Sequence, residues 1–208
     1  MATSIIKVLG TQASPFTNRV SIALNVKSVD YEFVQEDISN KSELLKSNPV
    51  YKKIPVLIHG EKTICESLVI VQYIDETWTN GPSVLPSNPL DRAITRFWAA
   101  YIDDKWLPLM SDLGKAQGKS NIRSTRETTK SIGAFRRDIA LGCILGWIKA
   151  IKIILGIEIF NVTKTPGLVN WGNRFLEDKC VKGAMLEPEK LVEILNLHLA
   201  KKGANNAN

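Results

Sequence analysis

The sequence is poor in the residues that bind metals or form disulfide frameworks. Its 208 residues include three cysteines (Cys65, Cys143 and Cys180) and two histidines (His59 and His198). The cysteines are odd in number and show no CxxC spacing, which argues against a zinc motif and a paired disulfide framework. We therefore expect no metal site and a reducing compartment, where disulfides are rare.

The sequence also lacks a secretion signal and an uninterrupted membrane span. The first ten residues contain no charged region followed by a long apolar stretch, so we expect a cytosolic protein. Residues 139–159 are almost wholly apolar and about as long as a membrane span, but Lys149, Lys152, Glu158 and three glycines interrupt them. We predict a central, fully buried helix there, with both lysines on its one exposed face. A membrane span is the alternative.

Positive charge is not spread along the chain. The formal net charge is +6, and residues 115–137 account for it, with seven basic residues and one acidic residue. No aromatic residue lies among the basic residues of this segment up to Lys130, whereas single-strand-binding surfaces interleave the two. We therefore expect a solvated loop or helix face and no nucleic-acid partner.

Short apolar runs alternate with helical patterns in the first 79 residues. They predict strands at residues 5–9, 31–34, 56–58 and 63–65, helices at residues 15–27 and from Ser67, and a short helix or loop at residues 41–47. This order gives a mixed four-stranded sheet with a parallel first pair and an antiparallel last hairpin. The residues that share one face at helical spacing are Phe16, Val20, Ala23 and Leu24 on one helix and Leu68, Val71, Ile74 and Trp78 on the other.

A stretch rich in proline follows these elements. Residues 79–89 read TNGPSVLPSNP, which is typical of a linker. Because no convincing strand pattern follows, we predict an α/β domain at residues 1–79, a linker at residues 80–90 and an all-helical domain at residues 91–208.

The helical domain is expected to open with a helix that runs through Met110. Asp91 is the predicted cap of this helix. The residues that recur along it at helical spacing are Ile94, Phe97, Trp98 and Tyr101.

Ser14 lies where the first strand gives way to the first helix. Pro15 follows it and favours the first turn of a helix, because a backbone N–H at that position would have no partner within the helix. The Ser14 hydroxyl would lie beside unpaired backbone N–H groups and the positive end of the helix dipole. A thiolate held there would be stabilised, although a plain helix cap is the alternative.

Several stretches together resemble plant tau-class glutathione transferases. The match is close over residues 4–115 and weaker over residues 138–200. The stretches that carry it are Ser14-Pro15-Phe16 with Arg19, Asn40-Lys41-Ser42, residues 48–57 (NPVYKKIPVL), residues 66–78 (ESLVIVQYIDETW) and Arg96-Phe97-Trp98-Ala99.

The resemblance implies a thioredoxin-like first domain that binds glutathione and a helical second domain that supplies a hydrophobic pocket. It implies a cytosolic homodimer active in detoxification and the stress response. The glutathione thiolate would attack small hydrophobic electrophiles, with glutathione peroxidase activity as a second reaction. Glutathione would be the co-substrate, without a further cofactor.

The resemblance also assigns roles to residues. Ser14 matches the catalytic serine that donates a hydrogen bond to the glutathione sulfur. The resemblance also implies which residues bind glutathione. They are Glu66 and Ser67 at the γ-glutamyl end, Lys41 and Lys53 at the glycine carboxylate, and Ile54-Pro55, a cis-proline turn, at the cysteinyl backbone.

Candidate walls for the electrophile pocket are apolar and aromatic, as such a pocket requires. They are Phe16, Trp106, Leu107, Met110 and Trp147, for each of which core packing is the alternative. Arg19 is expected to steady the site through an ion pair.

The chain departs from the family pattern between the two matching regions. Relatives carry another amphipathic helix after residue 118, whereas residues 121–130 form a short, polar and basic stretch without an apolar stripe here. Relatives also open the central helix with a serine or threonine cap and an aspartate five positions later, whereas Ser131 and Asp138 are seven apart. We therefore expect an intact first domain and a reshaped, wider pocket.

Two other functions remain open from the sequence. The altered second domain suggests a non-catalytic carrier of apolar ligands, although retention of Ser14, Ile54-Pro55 and Glu66-Ser67 argues against it. A thiol-disulfide reductase would need a cysteine at the position of Ser14.

Overall fold

A computed structural model of the chain describes residues 5–37, 42, 52–108 and 139–205. The predictions for residues 41–47, apart from Ser42, and those for residues 118–137 and Asp138 lie outside these ranges. The described elements, numbered in chain order, are β1 (Ile6–Gly10), α1 (Pro15–Val26), β2 (Glu32–Gln35), β3 (Val56–His59), β4 (Lys62–Cys65), α2 (Ser67–Thr77), α3 (Pro89–Tyr101), a π-helical turn (Ile102–Trp106), α4 (Ile139–Gly142), α5 (Leu145–Leu155), α6 (Pro166–Glu177) and α7 (Pro188–Asn205).

The four strands form one mixed sheet in the order β2-β1-β3-β4. β1 and β2 are parallel, whereas β1 pairs with β3, and β3 with β4, in the antiparallel sense. The mixed sheet with its parallel first pair and antiparallel hairpin is therefore confirmed. Val8, Leu9, Val56 and Leu57 are completely buried, so β1 and β3 form the centre of this unit's core.

Helices α1 and α2 pack together beside the sheet. Val20, Ala23 and Leu24 on the predicted face of α1 are completely buried, while Phe16 is half-buried. On α2 the buried side chains are those of Ser67, Ile70, Val71 and Ile74. Of the four residues predicted to share one face, Leu68 is half-buried and Val71 and Ile74 are buried. The prediction is wrong for Trp78, because α2 ends before it and its ring stacks on His59.

Helix α3 begins at a different cap from the one predicted, and its apolar stripe is exposed. The cap is Asn88, whose side-chain oxygen accepts from the backbone N–H groups of Leu90 (2.8 Å) and Asp91 (3.2 Å). The apolar stripe of Leu90, Ile94 and Phe97 is exposed.

The chain forms two compact units. The first contains the described residues up to Ala99 together with Lys179–Ala184, and the second contains those from Ala100 to Asp178 and from Met185 onward. Part of the predicted linker is bound to α2, because Asp75 accepts hydrogen bonds from the backbone N–H groups of Val84 (2.8 Å) and Leu85 (3.0 Å).

In the described part of the second unit every element is helical. Helix α4 contacts α6, and α5 contacts α7. Gly142 in α4 lies directly against the ring of Phe175 in α6, where an added Cβ would fall within 2.4 Å of three ring carbons. Glycine at this position therefore lets the two helices approach closely.

Residues 139–159 do not form the single, fully buried helix that was predicted. The helix is interrupted at residues 143 and 144, where Ile144 N–H bonds to the Leu141 carbonyl three residues back. The last turn of α5 is also exposed at Ile153 and Ile154. In the same turn Lys152 forms an ion pair with Glu158 at 2.6 Å. None of the helices described is both long enough and apolar enough to cross a membrane.

Candidate active site

The register of the strands brings the predicted site residues of the first unit to one edge of the sheet. Leu9 near the end of β1 pairs with Val56 at the start of β3, and Val56 pairs with Cys65 at the end of β4. The residues just beyond these three positions include Ser14, Ile54-Pro55 and Glu66-Ser67. The sheet therefore brings Ser14 together with segments that follow it by 40 to 53 residues in the sequence.

Ser14 is the N-cap of α1. Its backbone is extended (φ −88°, ψ 119°), and its side-chain oxygen accepts from the Thr17 N–H at 3.4 Å. Pro15 follows at the first helical position, and the Ser14 N–H bonds to the Thr11 carbonyl at 2.9 Å. The half-buried hydroxyl is thus held at the positive end of the α1 dipole.

The cap and the predicted catalytic role of Ser14 are compatible. A serine hydroxyl has one proton to donate and two lone pairs that accept. Thr17 uses an acceptor position, so the hydroxyl proton can be donated to an anion placed before the helix. The two interpretations of this residue therefore do not exclude each other.

Helix α2 begins in a strained backbone. Glu66 occupies the N-cap position with φ 69° and ψ 111°, and within the described residues its side chain makes no capping hydrogen bond. Such a conformation costs a non-glycine residue about 1–3 kcal/mol, and such strain clusters at functional sites. Serine is a preferred helix cap, but Ser67 is already the first helical residue of α2.

The hydroxyl of Ser67 is engaged by Arg19 instead. The Arg19 Nη1 group donates to Ser67 Oγ at 2.9 Å, and both residues are buried. The guanidinium carbon of Arg19 also lies 5.5 Å from the centroid of the Phe16 ring, a cation–π contact. Because Ser67 accepts from Arg19, its own proton is available to a ligand at the start of α2, where backbone N–H groups also favour anions.

The remaining glutathione-site candidates in the first unit flank this arrangement. The Ile54–Pro55 peptide bond is cis, as the resemblance implies. Pro55 is buried and Ile54 half-buried, whereas Lys53 is exposed. Lys41 lies outside the described residues.

Cys65 lies next to Glu66, yet it is a poor nucleophile. Burial, together with the neighbouring negative charge of Glu66, raises the pKa of the Cys65 thiol, so the thiol stays protonated at neutral pH. Among the described residues, no three His, Cys, Asp or Glu side chains are grouped closely enough to hold a metal ion. A thiolate at this edge of the sheet would have to come from a ligand.

Comparisons with known proteins identify the family. The model of the glutathione S-transferase N-terminal domain matches residues 4–76. Glutathione S-transferase U18 of Arabidopsis thaliana is 46% identical over 227 residues, which cover 98% of this chain and all of the relative. The crystal structure of a tau-class glutathione S-transferase from mango superposes with a TM-score of 0.83 at 45% identity, covering 94% of this chain and 99% of the mango chain. The chain belongs to the tau class of glutathione transferases.

A second solved structure agrees with this assignment. Rice GST1, determined in complex with glutathione, gives a TM-score of 0.83 at 29% identity over 97% of this chain and 99% of that chain. The expected family, with its thioredoxin-like first domain and helical remainder, is therefore confirmed. The alignment with U18 is 227 residues long and this transferase has 208, so the relative contains residues without a counterpart here.

The predicted pocket residues of this transferase lie in different surroundings. In the second unit Trp106 is only 2% exposed, with its ring centroid 6.2 Å from that of Phe160, whereas Leu107 and Trp147 are half-buried. Phe16, in the first unit, packs on Arg19. Met110 lies outside the described residues, and the assignment of these residues to a pocket stays a prediction.

One polar contact beside the site was not predicted. Glu36 follows β2 and is buried, and its carboxylate accepts from the Ser42 hydroxyl at 2.6 Å. Its own N–H bonds to the Gly10 carbonyl at the end of β1. An acid after a short strand ordinarily indicates a solvated turn, so the sequence carried no signal for this burial.

Replacing Arg19 by leucine is expected to weaken glutathione binding by about tenfold, since a hydrogen bond that involves a charged group contributes about 1.5–3 kcal/mol. The variant leaves the Ser67 hydroxyl without the donor that orients it. Isothermal titration calorimetry with glutathione measures the effect. Arg174→Leu, at an exposed position of α6, is the matched control.

The role of Arg19 would be refuted by an unchanged dissociation constant in a folded Arg19→Leu protein. A double variant with Ser67→Ala tests whether Arg19 acts on glutathione binding through the Ser67 hydroxyl. Because the two side chains act as one hydrogen-bonded pair, Ser67→Ala should weaken glutathione binding much less in the Arg19→Leu background than in the wild type.

Proposed function

We propose that this protein conjugates the glutathione thiolate to small hydrophobic electrophiles, with Ser14 as the catalytic residue. The observation that carries the proposal is the position of the Ser14 hydroxyl at the N-terminus of α1. It lies at the same sheet edge as the cis Ile54–Pro55 bond and the start of α2. Membership of a family of transferases supports the reaction type.

Glutathione would lie along this edge with its γ-glutamyl end at α2. Glu66 would meet the α-ammonium group, and the Ser67 hydroxyl with the first N–H groups of α2 would bind the α-carboxylate. The backbone of Ile54 would bind the cysteinyl part of glutathione. Lys41 and Lys53 would bind the glycine carboxylate.

The stabilisation available at Ser14 is sufficient to ionise the thiol. A free thiol with a pKa near ~8.5 is only about 3% ionised at neutral pH, and lowering that pKa by about two requires roughly 2.7 kcal/mol. A hydrogen bond to the charged sulfur supplies about 1.5–3 kcal/mol, and a helix N-terminus adds about 0.3–1 kcal/mol.

Ionisation alone does not explain a large acceleration. Thiolate nucleophilicity falls with pKa, with a slope of about 0.4–0.5 in disulfide exchange. A roughly 25-fold gain in thiolate would then shrink to a few-fold gain in rate. Most of the acceleration would come from holding the sulfur beside the electrophile.

With an aryl chloride the sulfur would attack the ring carbon, a C–S bond would form, and the C–Cl bond would break with release of chloride. With an organic hydroperoxide, two glutathione molecules would supply the two electrons and end as the disulfide, leaving an alcohol and water. The electrophile would be held by Phe16, Trp106, Leu107, Met110 and Trp147.

The resemblance further supports a cytosolic homodimer that serves detoxification and the stress response. The exposed stripe of Leu90, Ile94 and Phe97 on α3 is consistent with self-association, because contiguous exposed apolar side chains often mark an interface. The division into domains at residues 1–79 and 91–208 is also part of this proposal.

The test is turnover of a chlorodinitrobenzene-type substrate with glutathione. The expected product is the thioether, identified by mass spectrometry, with one chloride released for each glutathione consumed. Absence of glutathione-dependent product from the folded protein would refute the proposal.

A further inference from the structure

A short segment between α6 and α7 belongs to the first compact unit. Lys179–Ala184 groups with that unit, and Val181 and Ala184 within it are buried. Gly183 has φ +81°, a left-handed conformation that favours glycine. No atom lies within 4 Å of a Cβ added there, so its backbone angle and not its surroundings demands glycine.

Two side-chain amides of the first unit bind this segment. Asn25, near the end of α1, donates its Nδ2 group to the Cys180 carbonyl at 2.8 Å. Gln12, which precedes α1, donates its Nε2 group to the Gly183 carbonyl at 3.1 Å. The segment is therefore attached near both ends of the helix that Ser14 caps.

Gln12 lies in the turn that carries Ser14. This turn runs from Thr11 to Ser14 and is closed by the Ser14 N–H bond to the Thr11 carbonyl at 2.9 Å. The Ala13 N–H also bonds to Thr11 Oγ1, at 3.4 Å. These two bonds fix the shape of the turn, whereas the Gln12 side chain attaches the turn to a segment 171 residues away.

We infer that Gln12 is a positioning residue for the Ser14 hydroxyl, with the Gly183 carbonyl as its anchor. The inference rests on the proposed function, because it concerns where Ser14 meets the glutathione sulfur. A turn anchored only through β1 and α1 can tilt as a unit, and the bond to Gly183 opposes that tilt. Because a hydrogen bond to an anion depends steeply on geometry, a small tilt weakens stabilisation of the thiolate.

The test replaces Gln12 by methionine, which has nearly the same length but no donor. We expect kcat at pH 6.5 to fall about two- to tenfold, the range that one net hydrogen bond corresponds to. The pKa of the bound glutathione thiol should rise, as followed by thiolate absorbance of the binary complex. The KM for the electrophile should not change.

Gly183→Ala probes the acceptor without adding a clash. Alanine at a φ of +81° is unfavourable, so the backbone would relax and shift the carbonyl of residue 183. The pKa of the bound glutathione thiol should then move in the same direction as in Gln12→Met. The double variant should lose little more activity than either single variant, because the two substitutions disrupt the same hydrogen bond, from Gln12 to the Gly183 carbonyl. Asn25→Leu is the control. It should lower the thermal midpoint through loss of the other attachment but leave the pH profile unchanged.

The inference is overturned if Gln12→Met keeps the wild-type pH profile, or if Asn25→Leu shifts the profile equally. In the second case the effect would belong to general loosening of the segment. Failure of the proposed function would look different, because the wild-type protein would then show neither turnover nor a thiolate signal with glutathione.

Discussion

Replacing Ser14 by alanine should lower turnover of glutathione with an aryl chloride about 10- to 100-fold, because the few-fold loss through ionisation is joined by loss of the bond, worth about 1.5–3 kcal/mol, that positions the sulfur. Ser14 Oγ also accepts from the Thr17 N–H, so alanine removes a helix cap as well. Steady-state kinetics, together with thiolate absorbance of the glutathione complex, measures the catalytic effect. Glutathione should still bind, because Arg19, Ser67 and the start of α2 are untouched.

Glycine and threonine at this position separate the cap from the catalytic donor. Glycine at an N-cap costs only a few tenths of a kcal/mol, whereas alanine costs about 1 kcal/mol. Ser14→Gly should therefore be nearly as inactive as Ser14→Ala while unfolding at a higher temperature. Ser14→Thr keeps a hydroxyl and should keep much of the activity. An active Ser14→Gly protein would contradict the assignment of Ser14 as the donor.

The pH dependence of Ser14→Ala distinguishes ionisation from positioning of the sulfur. If lost ionisation were the whole effect, raising the pH until bound glutathione ionises would restore the wild-type rate. We expect incomplete recovery, because the variant also loses the bond that holds the sulfur toward the electrophile. Full recovery at alkaline pH would show that Ser14 acts through the thiol pKa alone.

The elements of the first unit could be predicted from the sequence because local signals agree there. Ser14 and Pro15 mark the start of α1, and apolar residues then recur at helical spacing until Val26. The two strands beside the turn at Gly60 are short runs that contain apolar and β-branched residues, and such runs joined by a turn with glycine predict a hairpin. In each case the chemistry of a few neighbouring residues decides the conformation, so the observed bounds differ from the predicted ones by at most one residue.

Predictions failed where a distant partner decides the outcome. Serine is a preferred cap, yet Ser67 lies inside α2, with its hydroxyl bound to a guanidinium 48 residues earlier in the chain. Periodicity identified an apolar face on α3 but could not tell which side of the helix the protein covers, and Ile94 and Phe97 are exposed. Burial of Glu36 likewise depends on Ser42 and on the end of β1, which no local pattern records.

Replacing Lys27 by methionine should destabilise the first unit by about 3–5 kcal/mol, because a buried charge is left without its partner. Lys27 Nζ lies 2.7 Å from Asp75 Oδ1, with side-chain exposures of 1% and 9%. For a chain of this size that corresponds to a fall in the thermal midpoint of about 10 °C. Calorimetry at neutral pH measures it.

The matched control is Lys190→Met in α7. Lys190 and Glu193 are also 2.7 Å apart, but their side chains are 60% and 61% exposed, so this pair is worth about 0–1 kcal/mol. Distance is thus held constant while burial changes. Equal effects of the two substitutions would refute the claim that burial makes the Lys27–Asp75 pair important.

Lowering the pH should reduce the difference in thermal midpoint between the wild type and Lys27→Met. Burial alone would raise the pKa of Asp75, but hydrogen bonds from Lys27, Val84 and Leu85 and the charge of Lys27 lower it below the ordinary value of 3.8. A carboxyl whose pKa is lowered by folding stabilises the protein above its unfolded pKa, and that contribution is lost as the pH falls through the folded pKa. Lys27→Met narrows the gap between the folded and unfolded pKa values of Asp75. The thermal midpoint of the variant should therefore approach that of the wild type below about pH 3.8. A difference that stays constant into strong acid would mean that Lys27 stabilises the fold through packing of its stem and not through the charge of Asp75.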